Sequence, residues 1–328
     1  MPLESKLIVG FREEKFPNHL NNAIVECCLE ALQERGAFTI ALSGGSLPAL
    51  LSNLEDAFEE KEADPKFSAW HVILADERLV PSTDDDSNLK ALQNEAFQFM
   101  SIPKNQIHGI NESKLSDPDS LASEYEETVK EVLSQSGGQL DLAVLGFGPD
   151  GHTCSLFPDH ALLKEDTKLV AAISDSPKPP PKRITLTLPV LNNMTRNVIF
   201  CGKGESKGPI VRRVFESVTK SKEPYNVEGG YQYDVTLEKN EVPPFPCAYV
   251  KPKADGPETK RLIWIIDDKA MSAGENAPSP YWLTDRFIYD CTNKDVCMVC
   301  YPLYVWLIIF VVLQLYQMRM GREHDNEN

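Results

Sequence analysis

The feature that most constrains the fold is a short apolar run that leads directly into a glycine-rich loop. Leu140 to Leu145 is typical of a buried strand, and the sequence Gly-Phe-Gly-Pro-Asp-Gly at 146–151 forces an irregular turn after it. Asp150 and His152 then place a carboxylate and an imidazole close together, followed by a Thr and a Ser typical of a helix start. Because open α/β sheets bind ligands where strands end, this segment predicts an α/β protein with its site at the loop.

Strands and helices alternate along most of the chain. An amphipathic helix is predicted over Asn18 to Gln33, with Gly36 as its stop, and another helix after Ser87-Asn88. Apolar runs typical of strands occur at 38–42, 70–75, 140–145, 169–173, 184–188, 198–201 and 262–266. This alternation predicts a mostly parallel open sheet with helices on both faces. Residues 221–246 are polar and lack periodicity, so a long surface excursion is expected there.

The charge balance narrows the class of partner. Of 328 residues, 33 are Lys or Arg and 49 are Asp or Glu, which gives a formal net charge of −16. Without a basic excess the chain has no means of releasing counterions from a nucleic-acid backbone, so no nucleic-acid partner is expected. An anionic small molecule remains compatible, because a few local cations are enough to bind it.

The cysteines indicate a reducing environment. The chain has eight, and those before residue 250 lie scattered among apolar neighbours, which favours a cytosolic protein. Cys297 and Cys300 form one C-x-x-C pair without a second pair, so no metal site is predicted.

The composition changes at about residue 274. Prolines and polar residues over 274–295 indicate a linker, and residues 296–318 contain no charged side chain. A bilayer-spanning helix needs roughly 20 such residues, so 296–318 is a candidate tail anchor that contacts a membrane, with a polar tail at 319–328. The catalytic domain, residues 1–273, would then lie in the cytoplasm. A hydrophobic packing helix is the alternative for 296–318.

Two further loops follow predicted strands and carry candidate ligand-binding groups. Ser43-Gly44-Gly45-Ser46 joins the strand at 38–42 to a helix. Glycines let a backbone approach phosphate closely, and N–H groups at a helix start bind it, although a plain tight turn has the same composition. Asp76-Glu77-Arg78 ends the strand at 70–75. The Arg78 guanidinium suits a phosphate or a polarised carbonyl, and a surface ion pair is the alternative.

His152 is the sharpest candidate for catalysis. An imidazole titrates near physiological pH, so it can take a proton from water and return it to a leaving group. Asp150 can orient either His152 or the substrate, and an Asp before Gly is also a common turn residue. Arg183 and Lys207 follow Pro-rich and Gly-rich runs, where each is either a phosphate ligand or a solvated charge.

Taken together, these segments resemble the 6-phosphogluconolactonase family, over roughly residues 6–272. The matching segments, in the family's order, are 43–46, 76–78, 87–88, 145–158, 177–188 and 202–207. The resemblance implies an open α/β fold of modified Rossmann type, shared with sugar-phosphate isomerases. It implies hydrolysis of 6-phospho-D-glucono-1,5-lactone to 6-phosphogluconate, in the oxidative pentose phosphate pathway, with a sugar-phosphate lactone as partner and no cofactor.

The resemblance also implies roles for individual residues. His152 would be the general base and acid, Arg78 would bind the lactone and stabilise negative charge, and Asp150 would complete the catalytic set. The implied substrate- and phosphate-binding residues are Ser43, Gly44, Gly45, Ser46, Asp76, Asn88, Arg183 and Lys207. One departure is Leu47, which stands where the family often has Thr.

Two other functions stay open. A sugar-phosphate isomerase or deaminase of the same fold would carry a carboxylate late in the His152 segment, where this chain has Leu156 and Phe157. Asp76 could still serve such an enzyme as an enolising base. A membrane-tethered scaffold without activity is the third function, and the presence of Arg78 and His152 argues against it.

Overall fold

Short apolar runs form most of the strands. The computed structural model of the chain describes residues 3–10, 12–215, 218–221, 225–237, 244–252 and 261–272. The strands are β1 (Leu3–Gly10), β2 (Phe38–Leu42), β3 (Trp70–Leu74), β4 (Asp76–Arg78), β5 (Ile107–His108), β6 (Leu140–Leu145), β7 (Val170–Ile173), β8 (Arg183–Leu186), β9 (Thr195–Gly202), β10 (Val218–Ser221), β11 (Tyr225–Val227), β12 (Gly230–Leu237) and β13 (Arg261–Asp267).

Helices occupy most of the connections between these strands. They are α1 (Phe16–Arg35), α2 (Leu47–Leu50), α3 (Leu54–Glu59), α4 (Asn88–Glu95), α5 (Pro118–Ser134), α6 (Leu188–Asn193), α7 (Gly208–Phe215), α8 (Pro246–Tyr249) and α9 (Asp268–Ser272). The predicted helix at 18–33 is confirmed within α1, and Gly36 ends it with φ of 72° and an N–H bond to the Leu32 carbonyl. Ser87 caps α4, because its side chain accepts a hydrogen bond from the Lys90 N–H.

The main sheet is mostly parallel, as predicted. Its strand order is β10-β12-β1-β13-β9-β6-β2-β3-β5, with β11 pairing to β12. The pairs from β1 through β13, β9, β6, β2 and β3 to β5 are all parallel. Every residue of β2 and β6 is buried, and since strand side chains alternate between faces, both faces of the sheet are covered.

The strand order reverses between β2 and β6. From β2 the chain continues outward to β3 and β5, then returns to the other side of β2 for β6, β9 and β13. In open α/β sheets such a reversal leaves a crevice at the carboxyl ends of the two central strands. The loops after β2 and β6 are the Ser43–Ser46 and Gly146–His152 segments, so the topology brings both predicted loops to one place.

A second, smaller sheet lies beside this edge. β4 pairs antiparallel with β8, and β8 pairs antiparallel with β7. The predicted strands at 169–173 and 184–188 therefore do not join the main sheet. The Leu186 N–H donates to the Ala75 carbonyl just after β3, which ties the small sheet to the end of a main-sheet strand. This contact places Asp76 to Arg78 next to the crevice.

The prediction of a surface excursion over 221–246 is wrong for part of that range. β12 pairs antiparallel with β1 along its whole length, from Leu3–Leu237 to Gly10–Gly230, and extends the sheet beyond its parallel part. Tyr233 and Val235 are buried there. Polar residues alternate with the apolar ones in β12 and weaken its apolar signal. Its partner β1 lies more than 200 residues earlier in the chain, so neither β1 nor β12 stands out in the sequence.

The described residues all fall within one compact unit that ends at Glu275. The predicted linker at 274–295, the candidate anchor at 296–318 and the polar tail at 319–328 lie outside the described residues. Among the residues that are described, no helix is long and apolar enough to cross a bilayer.

Candidate active site

The loop after β2 forms one wall of the site. The Ser43 N–H is held by the Val144 carbonyl of the neighbouring strand, and Gly45 takes a φ of 70°, which favours glycine. Gly44 packs so closely on Asn88 that a Cβ there would lie 1.8 Å from Asn88 Oδ1. The backbone of this loop therefore lines the cavity, and the single turn of α2 follows it.

Asn88 is held in the site by a buried carboxylate. Glu77 is only 1% exposed, and it accepts hydrogen bonds from the N–H groups of Arg78, Asn88 and Leu89 at 2.8–2.9 Å. Burial raises the pKa of Glu77, and these N–H bonds partly offset that rise. The Asn88 amide in turn donates to the Asp76 carbonyl at 2.8 Å. Glu77 was not predicted as a site residue, although its place between Asp76 and Arg78 was a signal.

Arg78 points a partly satisfied guanidinium into the cavity. Its Nη1 donates to the Asp86 carbonyl at 2.6 Å, and its Nε is buried with no partner in the described part of the chain. Asp76 lies beside it, with one carboxylate oxygen accepting from Ser155 Oγ at 2.8 Å. The buried Nε–H is therefore available to an anionic or polarised oxygen of a ligand.

The loop after β6 holds the imidazole of His152. Gly148 and Gly151 close a tight turn, in which the Gly148 N–H donates to the His152 carbonyl at 2.8 Å. A Cβ on Gly148 would lie 2.0 Å from His152 Nδ1, so only glycine leaves room for the ring. The ring stacks on Phe157, with centroids 5.0 Å apart and planes inclined by 27°. The imidazole is therefore fixed in position by the loop and by the apolar ring beneath it.

Asp150 orients His152 through a hydrogen bond to the ring. Its Oδ1 lies 2.5 Å from His152 Nδ1. Lys178 Nζ approaches the same pair, 3.0 Å from Nδ1 and 3.1 Å from Asp150 Oδ2. Burial of Asp150 tends to raise its pKa. The hydrogen bonds that it accepts from His152 and Lys178, and the positive charges of these two groups, outweigh burial and lower the pKa to about 2. Asp150 is thus ionised across the physiological range.

The pKa of His152 is lowered from its ordinary value. Burial of the ring is the largest cause, the contact with Asp150 opposes it, and the positive charge of Lys178 adds to the lowering. The imidazole is therefore neutral at physiological pH. A carboxylate oxygen only accepts hydrogen bonds, so the 2.5 Å contact puts the ring proton on Nδ1 and leaves Nε2 with a free lone pair.

Arg183 and Lys207 both reach the site, in different environments. Arg183 is 4% exposed, and it donates to the carbonyls of Lys178, Pro179 and Pro180 at 2.9–3.0 Å. Its Nη1 is the nitrogen that faces the cavity, where it lies 3.4 Å from Ser155 Oγ. Lys207 is half-buried, donates to the Phe147 carbonyl and has its pKa lowered mainly by burial. Neither side chain is therefore a fully solvated charge, which was the alternative to a phosphate ligand in the sequence analysis.

These elements enclose a polar cavity of about 220 Å³. The residues predicted for the site that line it are Ser43, Gly44, Gly45, Ser46, Asp76, Arg78, Asn88, His152, Arg183 and Lys207. Asp150 stands behind His152, and Lys203 adds a cation that was not predicted. Three buried polar atoms on the lining have no hydrogen-bond partner among the described residues: Ser43 Oγ, Arg78 Nε and Asn88 Oδ1. Since buried polar atoms are normally paired, Ser43 Oγ and Arg78 Nε can donate to ligand oxygens, whereas the acceptor Asn88 Oδ1 suits a ligand hydroxyl, so the three atoms together indicate a polar ligand.

The site has no evident metal-binding set. Among the described residues, no three His, Cys, Asp or Glu side chains are grouped closely enough to hold an ion. The five cysteines in that part of the chain, Cys27, Cys28, Cys154, Cys201 and Cys247, are buried and free. Burial raises the pKa of Cys154, which lines the cavity, well above its ordinary value, so it is not a nucleophile at neutral pH.

Comparison with known proteins identifies relatives of this chain. Residues 12–231 match the family described as glucosamine-6-phosphate isomerases/6-phosphogluconolactonase. The chain is 37% identical to the human 6-phosphogluconolactonase over 245 residues, which cover 74% of this chain and 83% of the human protein. It is 43% identical to a probable 6-phosphogluconolactonase of Schizosaccharomyces pombe over 198 residues, covering 58% of this chain and 75% of that protein.

Solved structures show the same fold. A 6-phosphogluconolactonase from Thermotoga maritima superposes with a TM-score of 0.58 at 23% identity, covering 80% of this chain and 99% of that one. A 6-phosphogluconolactonase from Trypanosoma cruzi superposes with a TM-score of 0.61 at 21% identity, covering 82% and 97%.

Proposed function

The chain belongs to the family of glucosamine-6-phosphate isomerases and 6-phosphogluconolactonases, and we propose that within it this protein is a 6-phosphogluconolactonase. It hydrolyses 6-phospho-D-glucono-1,5-lactone to 6-phospho-D-gluconate, the lactone-opening step of the oxidative pentose phosphate pathway. The observation that carries the proposal is a neutral imidazole, with its Nδ1 proton held by Asp150, that faces a cavity lined by unpartnered polar atoms.

The substrate phosphate is bound at the loop after β2. The N–H groups around Gly44 and Gly45, together with the unpartnered Ser43 Oγ, offer donors to the phosphate oxygens. Arg183 and Lys207, which also line the cavity, supply positive charge. Local cations of this kind bind an anion despite the net charge of −16.

The ester is opened by water that His152 activates. Nε2 takes a proton from the water while the water oxygen attacks the lactone carbonyl carbon. Asp150 stabilises the resulting imidazolium. Arg78 donates to the carbonyl oxygen as negative charge develops there. When the tetrahedral intermediate collapses, the bond to the ring oxygen breaks and the imidazolium returns its proton to that oxygen. The products are a carboxylic acid, which ionises, and a free hydroxyl.

Isomerisation or deamination on the same fold is less well supported. The end of the His152 segment, where a carboxylate would be needed, holds Leu156 and Phe157, which are 0% and 1% exposed. Phe157 instead supports the imidazole by stacking. Asp76 lines the cavity, but one of its oxygens is engaged by Ser155. A scaffold without activity has no need of the Asp150–His152 pair in an open cavity.

The direct test is hydrolysis of freshly prepared 6-phosphogluconolactone by the purified full-length protein. Product is followed as NADPH through 6-phosphogluconate dehydrogenase, against spontaneous hydrolysis in the same buffer. We expect acceleration that is proportional to enzyme concentration. Absence of acceleration would remove the lactonase proposal, and turnover of glucosamine 6-phosphate in its place would favour the deaminase.

We also propose that the catalytic domain, residues 1–273, lies in the cytoplasm and that residues 296–318 anchor it to a membrane. The five free cysteines support a reducing compartment, and the uncharged run at 296–318 supports the anchor. Carbonate extraction of cell membranes tests the anchor. Release of the full-length protein into the supernatant would reject it, and retention in the pellet is expected.

A further inference from the structure

Lys178 touches the catalytic pair, and the reaction proposed above leaves it without a role. Its Nζ lies 3.0 Å from His152 Nδ1 and 3.1 Å from Asp150 Oδ2. The three charged or titratable groups come from two loops, one after β6 and the other before β8. The contact is therefore a product of the tertiary fold.

The loop that carries Lys178 is held by hydrogen bonds to its backbone. Arg183 Nη2 donates to the Lys178 carbonyl at 3.0 Å, and Ser176 Oγ donates to the same oxygen at 2.8 Å. The Lys178 N–H donates to Ser176 Oγ at 3.2 Å. Because the backbone N–H and C=O of Lys178 are both engaged, its side chain extends toward the pair from a fixed backbone position.

The ammonium cannot hydrogen-bond to His152 in the active tautomer. The 2.5 Å contact with Asp150 places the proton on Nδ1, so that nitrogen has no lone pair to accept from Lys178. The hydrogen bond of Lys178 goes to Asp150 Oδ2, and the ammonium then lies beside the ring without a hydrogen bond to it. A positive charge there disfavours a second proton on the imidazole.

We propose that Lys178 is a positioning residue of this lactonase site: it holds Oδ2 of Asp150 so that Oδ1 faces His152, and it keeps the imidazole unprotonated until the imidazole takes a proton from water. This role rests on the proposed function. The base is then free at lower pH than an Asp–His pair alone would allow, because the carboxylate by itself favours the imidazolium.

Other charges around His152 act on the same ring. Asp150 and Asp76 both favour the protonated ring, whereas burial and Lys178 oppose it, burial being the larger. Lys207 lies close enough to Asp150 and Lys178 to interact with both charges. Lys178 is the cation in direct contact with the ring. Removal of its charge should therefore raise the pKa of His152.

The test is Lys178→Met in the full-length protein, with Lys182→Met as control. Met keeps the length of the side chain without the charge, and Lys182 is an exposed lysine on the same Pro-rich loop. The pKa of His152 is measured by NMR titration of the imidazole signals, with the His152 signal assigned through its loss in His152→Gln. We expect an upward shift of about 1 pKa unit in Lys178→Met, the effect of a unit charge at roughly 3 Å even in a high dielectric.

Activity gives the second readout. The acid limb of the kcat/KM profile should move upward with the NMR pKa in Lys178→Met, stay in place in Lys182→Met and recover in Lys178→Arg, which keeps the charge. A His152 pKa unchanged in Lys178→Met overturns the proposal, as does a loss of kcat with no movement of the limb. Because the NMR titration needs no turnover, a wild-type protein without lactonase activity would refute the proposed function while the pKa shift still decides the role of Lys178.

Discussion

Asp150→Asn tests the central link of the site, the bond between the carboxylate and the ring. In the structure Asp150 Oδ1 lies 2.5 Å from His152 Nδ1, so the carboxylate holds the tautomer with a free Nε2. In the proposed mechanism it also faces the imidazolium formed during attack. The amide has nearly the same shape and no charge. It therefore removes the charge-assisted hydrogen bond and leaves the packing of the loop in place.

The size of the effect follows from that bond. A hydrogen bond to a charged group contributes about 1.5–3 kcal/mol. In the proposed mechanism the imidazolium exists only after water gives up its proton, so most of this stabilisation applies to the transition state, and a loss of about 2 kcal/mol is expected to lower kcat about 30-fold. If the amide N–H₂ group turns toward Nδ1, the ring takes the other tautomer and the loss approaches the ~10²–10⁴-fold cost of removing a general base.

The pH dependence gives a sign as well as a size. Burial lowers the pKa of His152, and Asp150 is the main opposing influence. In Asp150→Asn that opposition disappears, so the pKa of His152 falls further and the acid limb of kcat/KM moves to lower pH while kcat drops. Asp150 itself, with a pKa of about 2, does not titrate in the assay range. The direction is opposite to that expected for Lys178→Met.

The assay is the coupled production of NADPH from fresh lactone between pH 5 and 8, on full-length wild type, Asp150→Asn and the control Asp159→Asn. Asp159 is exposed and has a φ of 60°, which Asn tolerates. We expect wild-type rates from the control. Wild-type kcat in Asp150→Asn, or an acid limb that moves upward, would show that Asp150 does not act on His152 and would refute this reasoning.

Three further substitutions test catalysis and the frame around it. His152→Ala should lower turnover by ~10²–10⁴-fold at pH 7.5 in the coupled assay, and normal turnover would exclude a general-base role. Glu77→Ala leaves one buried and two partly buried N–H groups without this acceptor, so urea unfolding should show a loss of about 2–4 kcal/mol in the free energy of unfolding; a change below about 0.5 kcal/mol would contradict a structural role for this carboxylate. Asp141→Ala removes the buried carboxylate that pairs with Arg35 and Arg196 at the end of the sheet away from the site. It should lower the free energy of unfolding by about 3–5 kcal/mol, and with it the melting temperature, while kcat of the folded protein stays normal. A melting temperature equal to wild type would argue against that network.

The elements that the sequence predicted well are those with a strong local signal. α1 has apolar side chains at helical spacing and ends at a glycine, and β2 is a short apolar run between two turn-forming segments. Both signals arise from groups within a few residues of each other, so no distant contact is needed to read them. The parallel character of the sheet follows in the same way, from the alternation of such segments.

The strands that the sequence missed depend on distant partners. β1 and β12 carry polar residues between apolar ones, and each is stabilised by pairing with the other across the length of the chain. β7 and β8 were predicted as strands, but their placement in a separate sheet depends on the contact between Leu186 and the end of β3. Pairing of this kind is decided by the whole fold.

For the site, the sequence determined which kinds of group would meet. Ser43 to Ser46, Arg78 and the His152 loop each follow a parallel strand, and strands of one parallel sheet end on the same edge, so their convergence was predictable. The tertiary structure decided what each group can do there. It made Asp150 the partner of His152, engaged most of the Arg183 donors with backbone carbonyls, buried Glu77 beneath Asn88 and brought Lys178 to the catalytic pair. The Lys178 contact joins two different loops, and the other three are local contacts whose geometry is set by how the loops fold. Protonation, burial and hydrogen bonding respond to these distances in space rather than to the order of residues.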